Sequence, residues 1–148
     1  MNVIDIGPSK PDDPMPVDII ALAHDERHLR RKVLESQHGM RLAFDLPRAI
    51  HLQDRDRLRL ENGEQVEVIA SDETLMEVRG RDTIHLIELA WHIGNRHLAA
   101  QVEEHRIVVM RDRVIAEMLT GLGAKVTEIV EPFSPQRGAY HHHHHGDG

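Results

Sequence analysis

The chain has 148 residues and a formal net charge of −7; 40% of its residues are apolar and only 3% are aromatic. It contains no cysteine, which excludes disulfide bonds, thiolate nucleophiles and cysteine-ligated metals. No apolar run approaches the ~20 residues of a membrane span, no secretory leader is evident, and no basic excess favours nucleic acid. We therefore expect a soluble, cytoplasmic protein that binds neither membrane nor nucleic acid.

The first half of the sequence is predicted to be β-rich. Residues 1–16 contain four prolines between polar residues, which predicts a disordered N-terminal segment. Residues 17–75 follow as short alternating strands, typical of a small all-β sandwich or barrel. Asn62-Gly63 separates two of these strands and predicts a tight hairpin, because both residues tolerate positive φ. Four basic residues are interpreted as a solvated strand face: Arg27, Arg30, Arg31 and Lys32.

The second half, residues 76–138, has a different pattern. Its predicted elements run β-α-β-β-α-β, the order of ferredoxin-like folds. Asp112 is expected to cap the second helix and Gly123 to end it. The predicted fold class is therefore α+β: a small all-β domain, a ferredoxin-like domain and a disordered His-rich tail over residues 139–148.

The first helix of this half has the sequence TIHLIELAWHIGN. We expect it to start at Asp82 or Thr83 and to end at Gly94-Asn95, since both of the latter accept a left-handed backbone. Its apolar residues form two stripes at helical spacing, and both are expected to be buried: Ile84, Ile87 and Trp91, and Leu86, Ala90 and Ile93.

The most unusual feature of the composition is histidine, with thirteen residues. Five form an unbroken run in the tail: His141, His142, His143, His144 and His145. Neutral imidazole binds nickel, copper and zinc, so these five are candidate metal ligands. The alternative is an expression tag, although five histidines followed by Gly-Asp-Gly differ from the usual form of one.

A further candidate ligand is His97, which follows the predicted end of the first helix. The simpler interpretation is that Arg96 and His97 only complement the negative end of the helix. One imidazole cannot hold a metal by itself, and no His-x-x-x-His or carboxylate cluster completes a set in the sequence. In a two-fold dimer, however, one exposed histidine on each subunit becomes a pair of ligands.

The residues AWHIGNRH, Ala90 to His97, resemble the signature of the urease accessory protein E (UreE) family of cytosolic nickel metallochaperones. RRKVLES, DLPRAIHLQDRDRLRLENGEQVEVIA and EPFSPQRGAY resemble the same family in order. The resemblance implies an N-terminal domain that engages partners and a C-terminal domain that forms a homodimer. It also implies Ni²⁺, with Zn²⁺ or Cu²⁺ able to bind the same site, held between subunits by His97. The implied activity is delivery of nickel to apo-urease together with accessory proteins that include a GTPase.

One stretch departs from the family pattern. Some members carry His-x-His at the start of the second helix, where this chain has Arg111-Asp112-Arg113. Arginine cannot bind a cation, so a secondary site at these positions should be missing. His92 is expected to pack beside the helix end rather than to bind metal. His85 is given no role, and five scattered histidines are expected to be solvated: His24, His28, His38, His51 and His105.

Two other functions stay open at the level of sequence. The first is a metal-dependent hydrolase that uses His97, although the sequence shows neither a carboxylate-histidine cluster nor a nucleophile with a plausible base. The second is a protein-interaction scaffold whose histidine tail is artificial. The leading interpretation is a metallochaperone that is not an enzyme.

Overall fold

A computed structural model describes residues 1–136 of the chain. The chain divides into two compact units after Ser71, which we call the N-terminal unit and the C-terminal unit. The division falls a few residues before the boundary expected at residue 75. The reason is that the strand predicted as LMEVRG begins earlier, at Asp72, and belongs wholly to the C-terminal unit.

The N-terminal unit is built from six strands. They are β1 (Val3–Gly7), β2 (Asp18–Leu22), β3 (His28–Glu35), β4 (Arg41–His51), β5 (Arg57–Leu60) and β6 (Gln65–Ala70). Four of them form a sheet in the order β1-β5-β6-β2, in which β2 and β6 are parallel, while β3 and β4 form an antiparallel ribbon. Apolar residues of the sheet and the ribbon share one buried core, as the alternating pattern predicts.

The hairpin at Asn62-Gly63 is confirmed between β5 and β6. Gly63 has φ 89°, and its N–H donates to the carbonyl of Leu60 at 3.0 Å. Leu60 in turn donates to the carbonyl of Glu64 at 2.9 Å, which closes the turn. Only glycine adopts this left-handed backbone without strain, so the position is fixed by backbone geometry.

The prediction that residues 1–16 are disordered is wrong. Val3–Gly7 forms β1 and pairs with β5. The proline-rich stretch after it is held by the carboxylate of Asp13. This carboxylate accepts hydrogen bonds from Gln65 Nε2 at 2.9 Å and from the Lys10 N–H at 2.6 Å. It also forms an ion pair with Arg59 at 3.0 Å. These contacts lower the pKa of Asp13 to about 2. Proline removes donors but leaves carbonyls and side chains to anchor the segment.

The predicted solvated basic face needs one correction. Arg30, Arg31 and Lys32 are exposed on β3, as expected. Arg27 lies before the strand and is buried, and its guanidinium donates to the carbonyl of Leu22 at 2.9 Å. A buried guanidinium is tolerated only where it has acceptors, so Arg27 joins two segments of the N-terminal unit.

The C-terminal unit has the predicted ferredoxin-like topology. Its elements are β7 (Asp72–Arg79), α1 (Thr83–Asn95), β8 (Ala100–Val102), β9 (Ile107–Met110), α2 (Arg113–Gly121) and β10 (Lys125–Pro132). The sheet has the order β10-β7-β9-β8 with all neighbours antiparallel. Within residues 1–136, no helix is long and apolar enough to cross a membrane.

The helices begin where the sequence predicts. The carboxylate of Asp82 accepts from the N–H of His85 at 2.8 Å, and that of Asp112 accepts from the N–H of Ile115 at 3.0 Å. Each cap satisfies a backbone donor that the first helical turn leaves unpaired. Gly123, with φ 91°, follows α2 as predicted.

Only one of the two apolar stripes of α1 is buried. Leu86 and Ile93 are buried and Ala90 is half-buried in the core under the helix, so this part of the prediction is confirmed, and Leu89 is buried beside them. The other stripe is exposed, at 66% for Ile84, 59% for Ile87 and 63% for Trp91, and that expectation is wrong for the single chain. Helical spacing shows that a face is apolar but not which surface covers it.

Candidate metal centre

The carboxyl end of α1 forms a Schellman motif around His97. The N–H of Leu98 donates to the carbonyl of Ile93 at 3.4 Å, and the N–H of His97 donates to the carbonyl of Gly94 at 3.0 Å. His97 has φ 57°, the left-handed position at which such motifs usually place glycine. Leu98 then packs against the core cluster that contains Ile93, which completes the motif.

This geometry corrects the predicted helix end. Gly94 and Asn95 were expected to supply the left-handed residue, but both are helical and α1 runs through Asn95. The left-handed residue is His97 itself, and a histidine in this conformation is uncommon enough to mark a constrained position. The consequence is that the His97 side chain is exposed on a backbone fixed by two hydrogen bonds and by the half-buried Leu98.

His97 is not part of a ready-made ligand cluster. Among residues 1–136 no group of three or more His, Cys, Asp or Glu side chains could hold a metal ion. Metal ions in proteins need three or more ligands, of which water can supply some. A site at His97 therefore needs ligands from solvent, from a second copy of the chain or from residues beyond Gln136.

His92 lies one turn earlier on α1 and is half-buried. Its ring stands edge-on to Trp91, with centroids 5.1 Å apart, which agrees with the expected packing role. His92 also lines a surface groove of about 620 Å³ between the end of α1 and one side of α2. The other lining residues are Asn95, Arg96, Leu98, Ile115, Met118 and Leu122.

His85 is a structural residue that the sequence analysis left without a role. It is 4% exposed, its Nδ1 accepts from the Arg81 N–H at 2.9 Å, and its Nε2 donates to the Leu122 carbonyl at 2.9 Å. These partners use both ring nitrogens and join the start of α1 to the end of α2. Its position on the buried face beside Leu86 and Leu89 could have indicated this role.

The two arginines at the start of α2 make hydrogen bonds and ion pairs within the chain. Arg111 donates to the carbonyl of Ile129 at 3.0 Å, and Arg113 forms an ion pair with Glu117 at 3.3 Å on the surface. Both line a groove of about 810 Å³ beside α2 and β10. The groove presents guanidinium groups where a histidine pair would be needed, so these positions offer no cation ligand.

The five remaining histidines outside the tail vary in exposure. His38 and His105 are exposed, as expected, although His38 Nδ1 lies 2.8 Å from the carboxylate of Asp18. The prediction of solvated side chains is wrong for the half-buried His24, His28 and His51. The candidate ligands His141, His142, His143, His144 and His145 lie outside the described residues.

The fold and this helix end define a class of two-unit α+β proteins in which a ferredoxin-like unit presents a histidine beside an exposed apolar stripe. Comparison with known protein families shows to which family the chain belongs. Residues 2–71 match the model of the UreE urease accessory protein, N-terminal domain, and residues 73–148 match that of its C-terminal domain. The chain therefore belongs to the UreE family of urease accessory proteins, which are accessory to the enzyme and not the enzyme itself.

Individual relatives agree over most of the chain. It is 55% identical to the urease accessory protein UreE of Agrobacterium fabrum, over 85% of this chain and 78% of the relative. It is 55% identical to that of Sinorhizobium fredii, over 91% of this chain and 85% of the relative. With that of Mesorhizobium japonicum it shares 59% identity over 80% of this chain, but this covers only 61% of the longer relative.

Proposed function

We propose that this protein is a cytoplasmic nickel metallochaperone that carries Ni²⁺ and delivers it to apo-urease during assembly of the metal centre. Membership of the urease accessory family supports the target, and the arrangement around His97 supports a metal-carrying role. Nickel is the cargo in this proposal. Zn²⁺ and Cu²⁺ also bind imidazole and would compete for the same ligands.

The observation that carries the proposal is the exposed His97 on a fixed, left-handed backbone. The Schellman motif holds the backbone, so the imidazole is presented to solvent from a defined point. Few protein ligands leave water positions on the ion, and such an ion exchanges quickly. Fast exchange suits transfer to another protein, whereas a resident catalytic metal is held by several ligands with supporting contacts.

A homodimer through the C-terminal unit would complete the site. Ile84, Ile87 and Trp91 form an exposed apolar stripe on α1, the helix that ends at His97. A contiguous apolar surface of this kind is typical of an interface. A two-fold axis close to the helix end would bring one His97 from each chain to the same ion.

The tail and the N-terminal unit would have separate roles. His141, His142, His143, His144 and His145 would capture ions and raise the number carried per chain. The N-terminal unit would contact partners, namely the urease apoprotein and accessory proteins that include a GTPase. This division would leave the C-terminal unit to hold the ion.

The test is activation of apo-urease by the nickel-loaded chain. We expect urease activity to depend on His97 and to survive His92→Ala, the matched control one turn away. If urease activation survives His97→Ala as well as His92→Ala, the proposed carrier site is wrong. Hydrolytic turnover by the nickel-loaded chain alone would support the hydrolase, and absence of nickel binding after tail deletion would support the scaffold with an artificial tail.

A further inference from the structure

The two-stranded ribbon of β3 and β4 has two edges of different kinds. On the β4 side, Met1 and Asn2 lie alongside the ribbon, and the N–H of Ala43 donates to the carbonyl of Met1 at 2.9 Å. On the β3 side, no strand within residues 1–136 pairs with the ribbon. An uncovered strand edge presents backbone donors and acceptors to which a segment of another chain can bind.

The register shows which backbone groups of β3 face outward. Met1 bonds to the N–H of Ala43 and to the carbonyl of Arg41, at 2.9 Å and 3.0 Å, so both of these residues direct their backbone away from β3. In an antiparallel pair, two residues that lie directly opposite either bond to each other or both point away. Val33 lies opposite Ala43, and Glu35 lies opposite Arg41. The N–H and carbonyl groups of Val33 and Glu35 therefore point away from β4.

The same outward pattern includes Arg31. Arg31 lies two residues before Val33 and opposite Asp45, in a stretch whose register is regular as far as Glu35. Since backbone direction alternates along a strand, the N–H and carbonyl of Arg31 also point outward. Within the described part of the chain, no backbone group bonds to the outward N–H groups of Arg31, Val33 and Glu35. We call this outward side of Arg31–Glu35 the β3 edge.

The ribbon is basic although the chain as a whole is acidic. β3 and β4 together contain five arginine and lysine residues and two carboxylates, whereas the net charge of the chain is −7. Three of the five basic residues are consecutive at the β3 edge, and all three are exposed: Arg30, Arg31 and Lys32. Arg31 forms an ion pair with Asp45 at 3.1 Å, but both side chains are exposed, so water weakens this pair. The β3 edge therefore repels a second copy of itself and attracts an acidic segment.

An apolar side chain follows these charges on the β3 edge. Val33 is 52% exposed, and its cross-strand neighbour Ala43 is half-buried. A strand added beside β3 would place one of its own side chains next to Val33 and cover it. Nucleic acid and lipid headgroups carry negative charge but lack the amide groups that pair with a strand edge. The β3 edge thus fits an extended polypeptide with acidic and apolar residues better than it fits either of those polymers.

We propose that the β3 edge is the docking site of the N-terminal unit for an acidic, extended segment of a protein partner, which adds to the ribbon as a third strand. Backbone hydrogen bonds at Arg31, Val33 and Glu35 supply affinity, and the basic side chains select carboxylates. This inference rests on the proposed function for the source of the segment, namely the urease apoprotein or one of its accessory proteins.

The first experiment reverses the charge of the β3 edge. Binding of the full chain to purified urease apoprotein in complex with its accessory proteins is measured by surface plasmon resonance. The double variant Arg31→Glu, Lys32→Glu should weaken binding roughly tenfold at about 50 mM salt and less at about 500 mM, because salt screens exposed charges. The matched control is Arg41→Glu with Arg48→Glu, which makes the same charge change on β4 and should weaken binding by about threefold or less.

The second experiment blocks the backbone of the β3 edge. Val33→Pro removes an outward N–H and keeps the bonds to β4, since proline is tolerated in an edge strand where the N–H faces solvent. This variant should weaken binding about tenfold at both salt concentrations. Val33→Ile keeps the N–H and an apolar side chain and should bind like the parent. Circular dichroism and urea unfolding check that each variant is folded.

The outcomes separate this inference from the carrier proposal. If both β3-edge variants are folded and bind the urease complex like the parent, the inference is wrong, whatever His97→Ala does to nickel binding. Loss of binding in the charge variant but not in Val33→Pro would overturn strand addition. Phosphatidylserine vesicles or RNA that bind the parent and not the charge variant, with urease binding unchanged, would overturn the protein partner. If the β3-edge variants lose binding while His97→Ala leaves urease activation intact, the docking site stands and the carrier site is wrong.

Discussion

Replacing His97 by glycine should stabilise the protein while removing its proposed ligand. His97 occupies a left-handed backbone with φ 57°. This conformation costs a non-glycine residue roughly 1–2 kcal/mol, whereas glycine adopts it freely but gives the unfolded chain about 0.4–1 kcal/mol of extra entropy. The difference predicts a net gain of about 0.5–1 kcal/mol for His97→Gly. His97→Ala keeps the backbone penalty and should stay within about 0.5 kcal/mol of the parent.

The assay is urea unfolding of metal-free protein followed by circular dichroism, with nickel binding measured on the same variants. Gly121→Ala is the matched control, since Gly121 is helical and an added Cβ would meet nothing within 4 Å. It should stabilise by up to about 1 kcal/mol through helix propensity and leave nickel binding unchanged. Both His97 variants should lose the same nickel affinity despite different stabilities.

The predicted gain in stability is wrong if His97→Gly is no more stable than His97→Ala. That outcome would mean that the backbone at position 97 stores no strain. Conversely, undiminished nickel affinity in a His97→Gly variant that also lacks His141–His145 would show that the imidazole of His97 is not the ligand.

Three further predictions follow from other contacts. Ile87→Glu should dissociate the proposed dimer in sedimentation without loss of fold, because the side chain is exposed in the single chain. Asp82→Ala should lower the free energy of unfolding by about 1 kcal/mol in urea, since it removes the cap of α1. Hydrogen bonds from Arg79 and Arg106 lower the pKa of Glu77, so its stabilisation is present above about pH 4.5 and is lost as pH falls. Arg106→Met should flatten that acid dependence in thermal unfolding.

The order of elements in the C-terminal unit could be predicted because it depends on local pattern. Period-3.6 segments with Asp caps and period-2 segments between turns define βαββαβ without reference to distant residues. The pairing β10-β7-β9-β8 then follows from the topology rules for that order.

Two of the predictions that fail depend on contacts that the local sequence pattern does not contain. The proline-rich start is ordered because Arg59 and Gln65, about fifty residues later, hold the carboxylate of Asp13. Composition does not contain such pairings. The exposure of Ile87 cannot be predicted from the sequence pattern either, because periodicity identifies an apolar face and not the surface that covers it.

The candidate site shows the same division. His97 could be singled out by its position after the helix, yet its left-handed backbone depends on Leu98 reaching the core beside Ile93. The nearer glycine and asparagine are stronger local candidates for that conformation. Ile93 and Leu98 are apolar residues on either side of His97, and this spacing could have indicated that His97 is the left-handed residue.

Native mass spectrometry can show whether two chains share one nickel ion through His97. The protein is prepared without His141–His145 and titrated with Ni²⁺, alongside the same protein carrying His97→Ala. We predict a dimer with one tightly bound nickel ion, which disappears in the His97→Ala protein while the dimer remains. Nickel retained by the His97→Ala dimer, or nickel bound only by monomers, would mean that His97 does not hold an ion between two chains.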